Sequence, residues 1–376
     1  MRDEDSTEES INEEYLEEEL FPQTHRDSKL SRKIASRTDR SKYKKTDQNK
    51  LHREEKSSFL RASSDKGLKL GRVLSVAGLE MCVDSDGECF QCVLRGKFKK
   101  SRSRNKNLVV TGDFVAFEET SKGEGIIVQI EERKTLLSRA DNSSRRKRQL
   151  LAANVDQVII TASVIIPPLK PFLVDRYIIA ACKGGMKPLV VVNKIDLLKK
   201  DQLEREKCLE FVQAYSMIDI PVLLLSAETG EGIDCLIEKM KGKTSVFSGQ
   251  SGVGKSSLIS KVTGLDLKVR KVIEKTKKGA HTTTTTTLHP LHFGGWCVDT
   301  PGIGSFGLWD LEKEELDEYF EEILHVSSSC KFSNCMHIHE PGCAVMKAVE
   351  MGEISSLRFN SYRALIKSLS EKHQSR

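Results

Sequence analysis

A chain of 376 residues, 38% hydrophobic and 30% charged, is long enough for two or three domains that each bury a core. Its apolar runs fall short of the roughly 18 residues a membrane helix needs: the longest, 155–166, is broken by Gln157, Thr161 and Ser163 and stopped by Pro167-Pro168. The acidic amino terminus reads as neither a secretory leader nor an acid-poor transit peptide, so a soluble, cytoplasmic protein without membrane contact is expected.

The net charge of +6 conceals an asymmetry. Residues 1–20 carry ten acids against Arg2 alone, which leaves +15 on the remainder, a balance suited to a polyanion such as RNA. Ten cysteines in such a protein point to free thiols or a metal rather than disulfides. Residues 1–66 pass from an acidic block into a Lys/Arg/Ser stretch with few apolar residues, so an extension without a packed core is predicted. It carries no recognisable chemistry; a solubilising tail and an RNA- or protein-contacting arm both fit.

From Gly71 the texture turns to short strands, at 72–76, 80–83, 90–94, 113–117 and 125–130, with a turn at Asp84-Ser85-Asp86-Gly87. Five short strands with polar turns predict a small barrel, economically an OB-fold, over 67–138. Between its strands lies a basic loop with an aromatic, in which Lys97, Lys99, Lys100, Arg102 and Arg104 flank Phe98. That composition suits holding a phosphate backbone and stacking a base, although a plain solvated loop has the same composition. Arg145-Arg146-Lys147-Arg148 adds a second basic cluster.

The region 150–310 alternates buried-type strands (155–160, 188–192, 222–225) with helical stretches (171–182, 201–214, 232–241), the pattern of an α/β sheet with helices on both faces. Strand 245–248 then leads into Gly249-Gln250-Ser251-Gly252-Val253-Gly254-Lys255-Ser256, and a helix opens at 256–262. Strand, glycine-rich loop and helix form the setting a phosphate-binding GxxxxGK[ST] loop requires. Asn193-Lys194-Ile195-Asp196 (NKxD), Ser226-Ala227 and Asp299-Thr300-Pro301-Gly302 complete a guanine-nucleotide set. Their order is rotated: the base-reading NKxD precedes the phosphate loop, as expected of a circularly permuted GTPase.

Each residue has a physical task. The Asp196 carboxylate can accept from guanine N1–H and the 2-amino group, a pair adenine does not present. Asn193 can reach the other purine edge, Lys194 can cover the base, and the Ala227 N–H can meet O6. Loop glycines admit the phosphates, Lys255 neutralises them, and the Ser256 hydroxyl, beside Ser257, ligates Mg²⁺ with Asp299 acting through a water. Gly302 offers an N–H to a γ-phosphate. Ile303 stands where Ras-like enzymes place a water-orienting glutamine, and His281 is the internal candidate to hold or deprotonate that water.

Near the carboxyl end, Cys330, Cys335, His337 and Cys343 give three thiolates and an imidazole, a closed tetrahedral Zn²⁺ set with a structural role; His339 is a competing ligand. Flanking stretches 311–325 and 344–367 have helical apolar spacing, so 311–376 is predicted to be a small helical zinc domain. It could anchor the catalytic segment that the permutation leaves beside a chain end.

Taken together, from residue 71 onward these motifs resemble the ribosome small-subunit-dependent GTPase A family (RsgA, also called YjeQ). The resemblance rests on Ala153-Asn154-Val155-Asp156, NKID, GQSGVGKSS, the His–Thr segment, DTPG followed by Phe306-Gly307, and His339-Glu340-Pro341-Gly342-Cys343. It implies late assembly of the small (30S) ribosomal subunit, rRNA binding, GTP hydrolysis stimulated by the subunit, release as GDP, and His281 as the catalytic group; a monomer is expected. The family's switch usually reads Gly-Arg-His-Thr-Thr, whereas here Gly279-Ala280-His281 runs into threonines 282–287. The arginine is missing, and Thr283 is the favoured Mg²⁺ sensor. The competing reading is an RNA-docking checkpoint in which nucleotide sets affinity and turnover is incidental; an ATPase is disfavoured by Asp196.

Overall fold

Five strands with alternating inward apolar residues curl into a closed barrel: β1 (Lys69–Ala77), β2 (Glu80–Ser85), β3 (Glu88–Leu94), β4 (Phe114–Ser121) and β5 (Glu124–Ile130). The strand order is β1-β2-β3-β5-β4, with β4 closing on β1 and β3 running parallel to β5, the OB-type arrangement expected. The computed structural model describes residues 67–96, 108–141, 144–264, 286–299, 311 and 313–374, so the amino-terminal extension and the basic loop 97–104 lie outside the described residues. Val73, Met81, Val83, Phe90, Val115, Phe117 and Ile127 fill the barrel. Asp113, fully buried, ties its rim together through a two-pronged pair with Arg133 at 2.7 and 2.8 Å.

A two-stranded ribbon, β6 (Leu136–Asp141) and β7 (Ser144–Ala153), follows the barrel. The sequence reading had no strand here, because the basic run 145–148 hides the alternation by which a strand is recognised.

The nucleotide domain contributes β8 (Gln157–Ser163), β9 (Lys187–Asn193), β10 (Val222–Leu224), β11 (Thr244–Ser248), β12 (Thr287–Pro290) and β13 (Trp296–Asp299). Their order is β10-β9-β8-β11-β13-β12, parallel except for β12. Helices α1 (Pro171–Lys183) and α2 (Gln202–Ser216) pack on one face through Val174, Tyr177, Ile178, Phe211 and Tyr215. On the other face, α3 (Ile233–Met240) and α4 (Lys255–Thr263) pack through Leu236, Met240, Leu258 and Val262. The barrel is not a bead on a string: β1 pairs with β12 at Ser75 and Thr287, so eleven strands form one continuous sheet. Arg72 reinforces this seam. Its guanidinium donates to the Asn154 carbonyl (3.1 Å) and Thr244 Oγ1 (2.9 Å) while facing the Phe114 and Trp296 rings.

The carboxyl-terminal module consists of a 3₁₀ helix (Lys313–Tyr319), α5 (Glu321–Ser327), α6 (Ala344–Glu350) and α7 (Ser356–Gln374). The stretch 344–367, read as helical in spacing, forms two helices, parted where Gly352 takes a φ of 75°, a conformation that ends a helix. Leu316, Phe320, Ile323, Val345, Tyr362 and Leu365 pack with Ile179 of α1. A buried charge cluster completes the joint: Arg358 of α7 pairs with Asp175 of α1 and, at 2.8 Å, with Glu322 of α5, and the Tyr215 hydroxyl donates to Asp175 at 2.7 Å. Burial pulls the Arg358 guanidinium down, but the two carboxylates outweigh it and hold its pKa above the ordinary value. Among the described residues, no helix is long and apolar enough to cross a membrane.

Candidate nucleotide site and metal cluster

The base-reading and phosphate-binding segments leave the same edge of the sheet, at the carboxyl ends of parallel strands, where open α/β sheets bind ligands. The NKxD segment follows β9, Ser226-Ala227 follows β10, the phosphate loop follows β11, and Asp299 ends β13. The permutation therefore changes which strands are covalently linked and leaves the loops at one edge.

Two glycines set the shape of the phosphate loop. Gly249 has φ 141°, and a Cβ there would lie 2.1 Å from the Thr161 carbonyl oxygen; Gly254 has φ 97°, and a Cβ would lie 2.3 Å from Asn193 Nδ2. Any side chain would push the loop off β8 or off the NKxD segment. Val253 is buried beneath the loop, and α4 begins at Lys255. Gln250, Ser251 and Gly252 form the outer part of the loop, with Ser251 and Gly252 exposed, and Ser256 and Ser257 are exposed in the first turn of α4. Backbone N–H groups at such a helix start favour anions. Lys255 Nζ donates to the Gly249 and Gln250 carbonyls, both at 2.6 Å.

Asn193, only 1% exposed, ties the two halves of the site. Its Nδ2 donates to the Val253 carbonyl at 2.8 Å, and its Oδ1 accepts from the Ala227 N–H at 2.9 Å. The two groups assigned from sequence to the far purine edge and to O6 are thus bonded to each other, since a buried amide needs partners. Lys194, in the left-handed region at φ 67°, sends Nζ across to the Gly252 carbonyl (2.7 Å) and the Ile166 carbonyl. Ile195 opens a short 3₁₀ helix (Ile195–Lys200). Asp196 Oδ1 accepts from the Ser226 hydroxyl at 2.5 Å, which orients the carboxylate. The sequence reading missed this lacing, and missed the lip at Ile166-Pro167, which it treated only as the end of a strand.

Asp299 sits opposite Thr287 in the β12–β13 register. His281, Thr283 and Gly302 lie outside the described residues, as do Lys97, Lys99, Lys100, Arg102 and Arg104.

At the carboxyl end the structure brings together all four predicted metal-ligating side chains, Cys330, Cys335, His337 and Cys343, with their ligand atoms within 4.8 Å of one another. Cys330 Sγ lies 3.9 Å from Cys343 Sγ, and His337 Nδ1 lies 3.6 and 3.4 Å from the Cys330 and Cys343 sulfurs. His339 is exposed and stands apart from the cluster. Burial, against the His337 backbone N–H and with the neighbouring Cys343 and Cys330 thiols, pushes the Cys335 thiol up to about 12, so holding thiolates here calls for a cation. Glu340 shapes the loop by accepting from the Met336, Ile338 and His339 N–H groups at 2.8, 2.8 and 3.0 Å. Burial raises its carboxyl, but these donors outweigh it and hold the pKa at about 2.

Comparisons with known proteins agree with this geometry. The model of the RsgA N-terminal domain matches residues 71–127, and that of the RsgA GTPase matches 130–309. A protein of Chlorobaculum parvum named small ribosomal subunit biogenesis GTPase RsgA is 42% identical over 280 residues, covering 72% of this chain and 88% of that protein. A Haemophilus influenzae protein of the same name is 37% identical over 331 residues, covering 85% and 91%. Among solved structures, YjeQ from Thermotoga maritima superposes with a TM-score of 0.65 at 35% identity, over 80% of this chain and 98% of that one. YloQ, described as a circularly permuted GTPase, superposes with a TM-score of 0.62 at 29% identity, over 81% and 96%.

Proposed function

The chain belongs to the RsgA family of circularly permuted GTPases, and from that premise we propose that this GTP hydrolase acts late in maturation of the small ribosomal subunit. It binds rRNA, hydrolyses GTP when the subunit stimulates it, and leaves as the GDP form. The observation that carries the nucleotide reading is the Asn193 tie, which joins the base-reading segment to the phosphate loop as one site.

In this reading Asp196, oriented by Ser226, accepts from guanine N1–H and the 2-amino group. The stem of Lys194 lies along the base while its ammonium braces the loop from below. Loop N–H groups and Lys255 bind the phosphates, with Lys255 exchanging its carbonyl partners for phosphate oxygens. Ser256, and Asp299 through a water, would hold Mg²⁺, with Thr283 as its sensor; when bound, the ion would neutralise charge developing on the phosphate oxygens. Gly302 donates to the γ-phosphate. His281 holds the attacking water and accepts its proton, a role that the apolar Ile303 cannot fill. The products are GDP and phosphate.

Lys97, Lys99, Lys100, Arg102 and Arg104 of the barrel take rRNA phosphates. Cys330, Cys335, His337 and Cys343 would hold one structural Zn²⁺. Tetrahedral coordination with zinc's bond lengths puts sulfurs about 3.8 Å apart and sulfur about 3.6 Å from nitrogen, close to the separations in the cluster. The protein works as a cytoplasmic monomer. Co-sedimentation with purified small subunits tests the proposal: binding in a non-hydrolysable GTP analogue should be strong and in GDP weak. Equal binding in both states would remove the nucleotide-controlled release.

A further inference from the structure

The seam between barrel and nucleotide domain bears on the catalytic edge directly. Thr287 of β12 lies in one row across three strands, opposite Ser75 of the barrel strand β1 on one side and opposite Asp299 of β13 on the other. One residue earlier, the Thr286 carbonyl accepts from the Thr111 hydroxyl at 3.0 Å. Thr111 enters from the strap that precedes β4 and is only 2% exposed. The 282–287 threonine run thus ends on a grip supplied by the barrel side.

That grip is itself anchored. Thr111 pairs with Ala152 of β7, and the Ala153 N–H donates to the Thr111 carbonyl at 2.9 Å. Gly112 donates to the Val73 carbonyl at 2.8 Å and accepts from Asn154 Nδ2 at 3.1 Å, and a Cβ at Gly112 would lie 2.1 Å from the Ala153 oxygen. Arg72 bridges the same region to Asn154 and Thr244. Burial draws its guanidinium pKa down to about 10 against the pull of Asp156, as expected of a charge enclosed in a tight joint. Displacing the barrel against the sheet therefore moves Thr111, and with it the Thr286–Thr287 backbone that lies one strand away from Asp299.

We propose that Thr111 is a positioning residue for GTP hydrolysis: its hydroxyl fixes the exit of the threonine run, so the barrel's seating sets the turnover rate. The proposal rests on the reading of 282–287 as the nucleotide-sensing segment. Thr111 does not touch the nucleotide, so its loss should appear in kcat and leave nucleotide affinity alone.

The test compares Thr111→Val, which keeps the shape and removes the donor, with Thr111→Ser, which keeps the donor, and with Lys255→Ala as control. For Thr111→Val, kcat should fall about fivefold, the kinetic equivalent of one hydrogen bond. KM for GTP and the GDP dissociation constant should stay at wild-type values, Tm should fall by only a few degrees in Thr111→Val, and Thr111→Ser should restore both turnover and Tm. Wild-type kcat in Thr111→Val beside an inactive Lys255→Ala overturns the proposal and leaves the nucleotide site standing. An equal fall of kcat and Tm in both Thr111 variants also overturns it, because the residue would then only support the fold. Wild-type turnover by Lys255→Ala would overturn the site reading, and this proposal with it.

Discussion

The nucleotide edge and the carboxyl-terminal module hold their functional groups by opposite means. At the nucleotide edge, short loops are laced by side chain to backbone bonds: Asn193 to Val253 and Ala227, Lys194 to Gly252, Lys255 to Gly249. Lys255 is bonded to carbonyls in an open loop and can trade these partners for ligand atoms, while the Lys194 ammonium stays on the loop and leaves its stem to the ligand. The carboxyl-terminal module is instead held by enclosed charge in the Arg358–Asp175–Glu322 cluster, with the four-residue Cys/His set beside it. A buried charge has no partner to turn to when one is lost. The first arrangement permits exchange of partners during turnover, and the second fixes a body in place. The module is docked on α1 and α2 through Ile179, Asp175 and Tyr215.

That contrast is sharpened most by removing the metal. Structural zinc contributes on the order of 10 kcal/mol to small zinc domains, so Cys335→Ala should lose the one zinc expected per chain and loosen the module, measured by elemental analysis and limited proteolysis. GTP affinity should stay at its wild-type value. Freshly purified wild-type protein without zinc would break this side of the comparison.

A smaller effect is expected at the charge cluster. Arg358→Ala leaves Asp175 and Glu322 without their partner and should cost about 3–5 kcal/mol in urea unfolding. Arg358→Met combined with Asp175→Asn and Glu322→Gln should recover much of that, because the triple variant leaves no unpaired charge. GTP affinity should again be unmoved. A loss of GTP affinity matching the loss of stability would mean that module and nucleotide edge are one cooperative unit.

The parts legible in the sequence are those written in local pattern. The barrel strand read at 80–83 is Glu80–Ser85, the sheet strand read at 188–192 is Lys187–Asn193, and the helix read at 171–182 is Pro171–Lys183. The rotated motif order led directly to the permuted sheet, because each motif carries its own strand end with it. Three features were not legible, for a common reason. Arg358 and Asp175 are 183 residues apart, and each looks like an ordinary surface charge on a helix. Arg72 sits in a strand where an outward-facing arginine would be unremarkable, yet the Phe114 and Trp296 rings enclose it. Asn193 was read as a ligand-facing group because its motif names the ligand, while burial commits its amide to two loops. Long-range burial decides all three, and no window of sequence contains it.

Steady-state GTP turnover by the full chain, with and without purified small ribosomal subunits, tests the central claim most directly. The account predicts slow turnover by the protein alone and a many-fold rise when subunits are added, lost on flattening the barrel's basic loop. Turnover that is unchanged by subunits would contradict it.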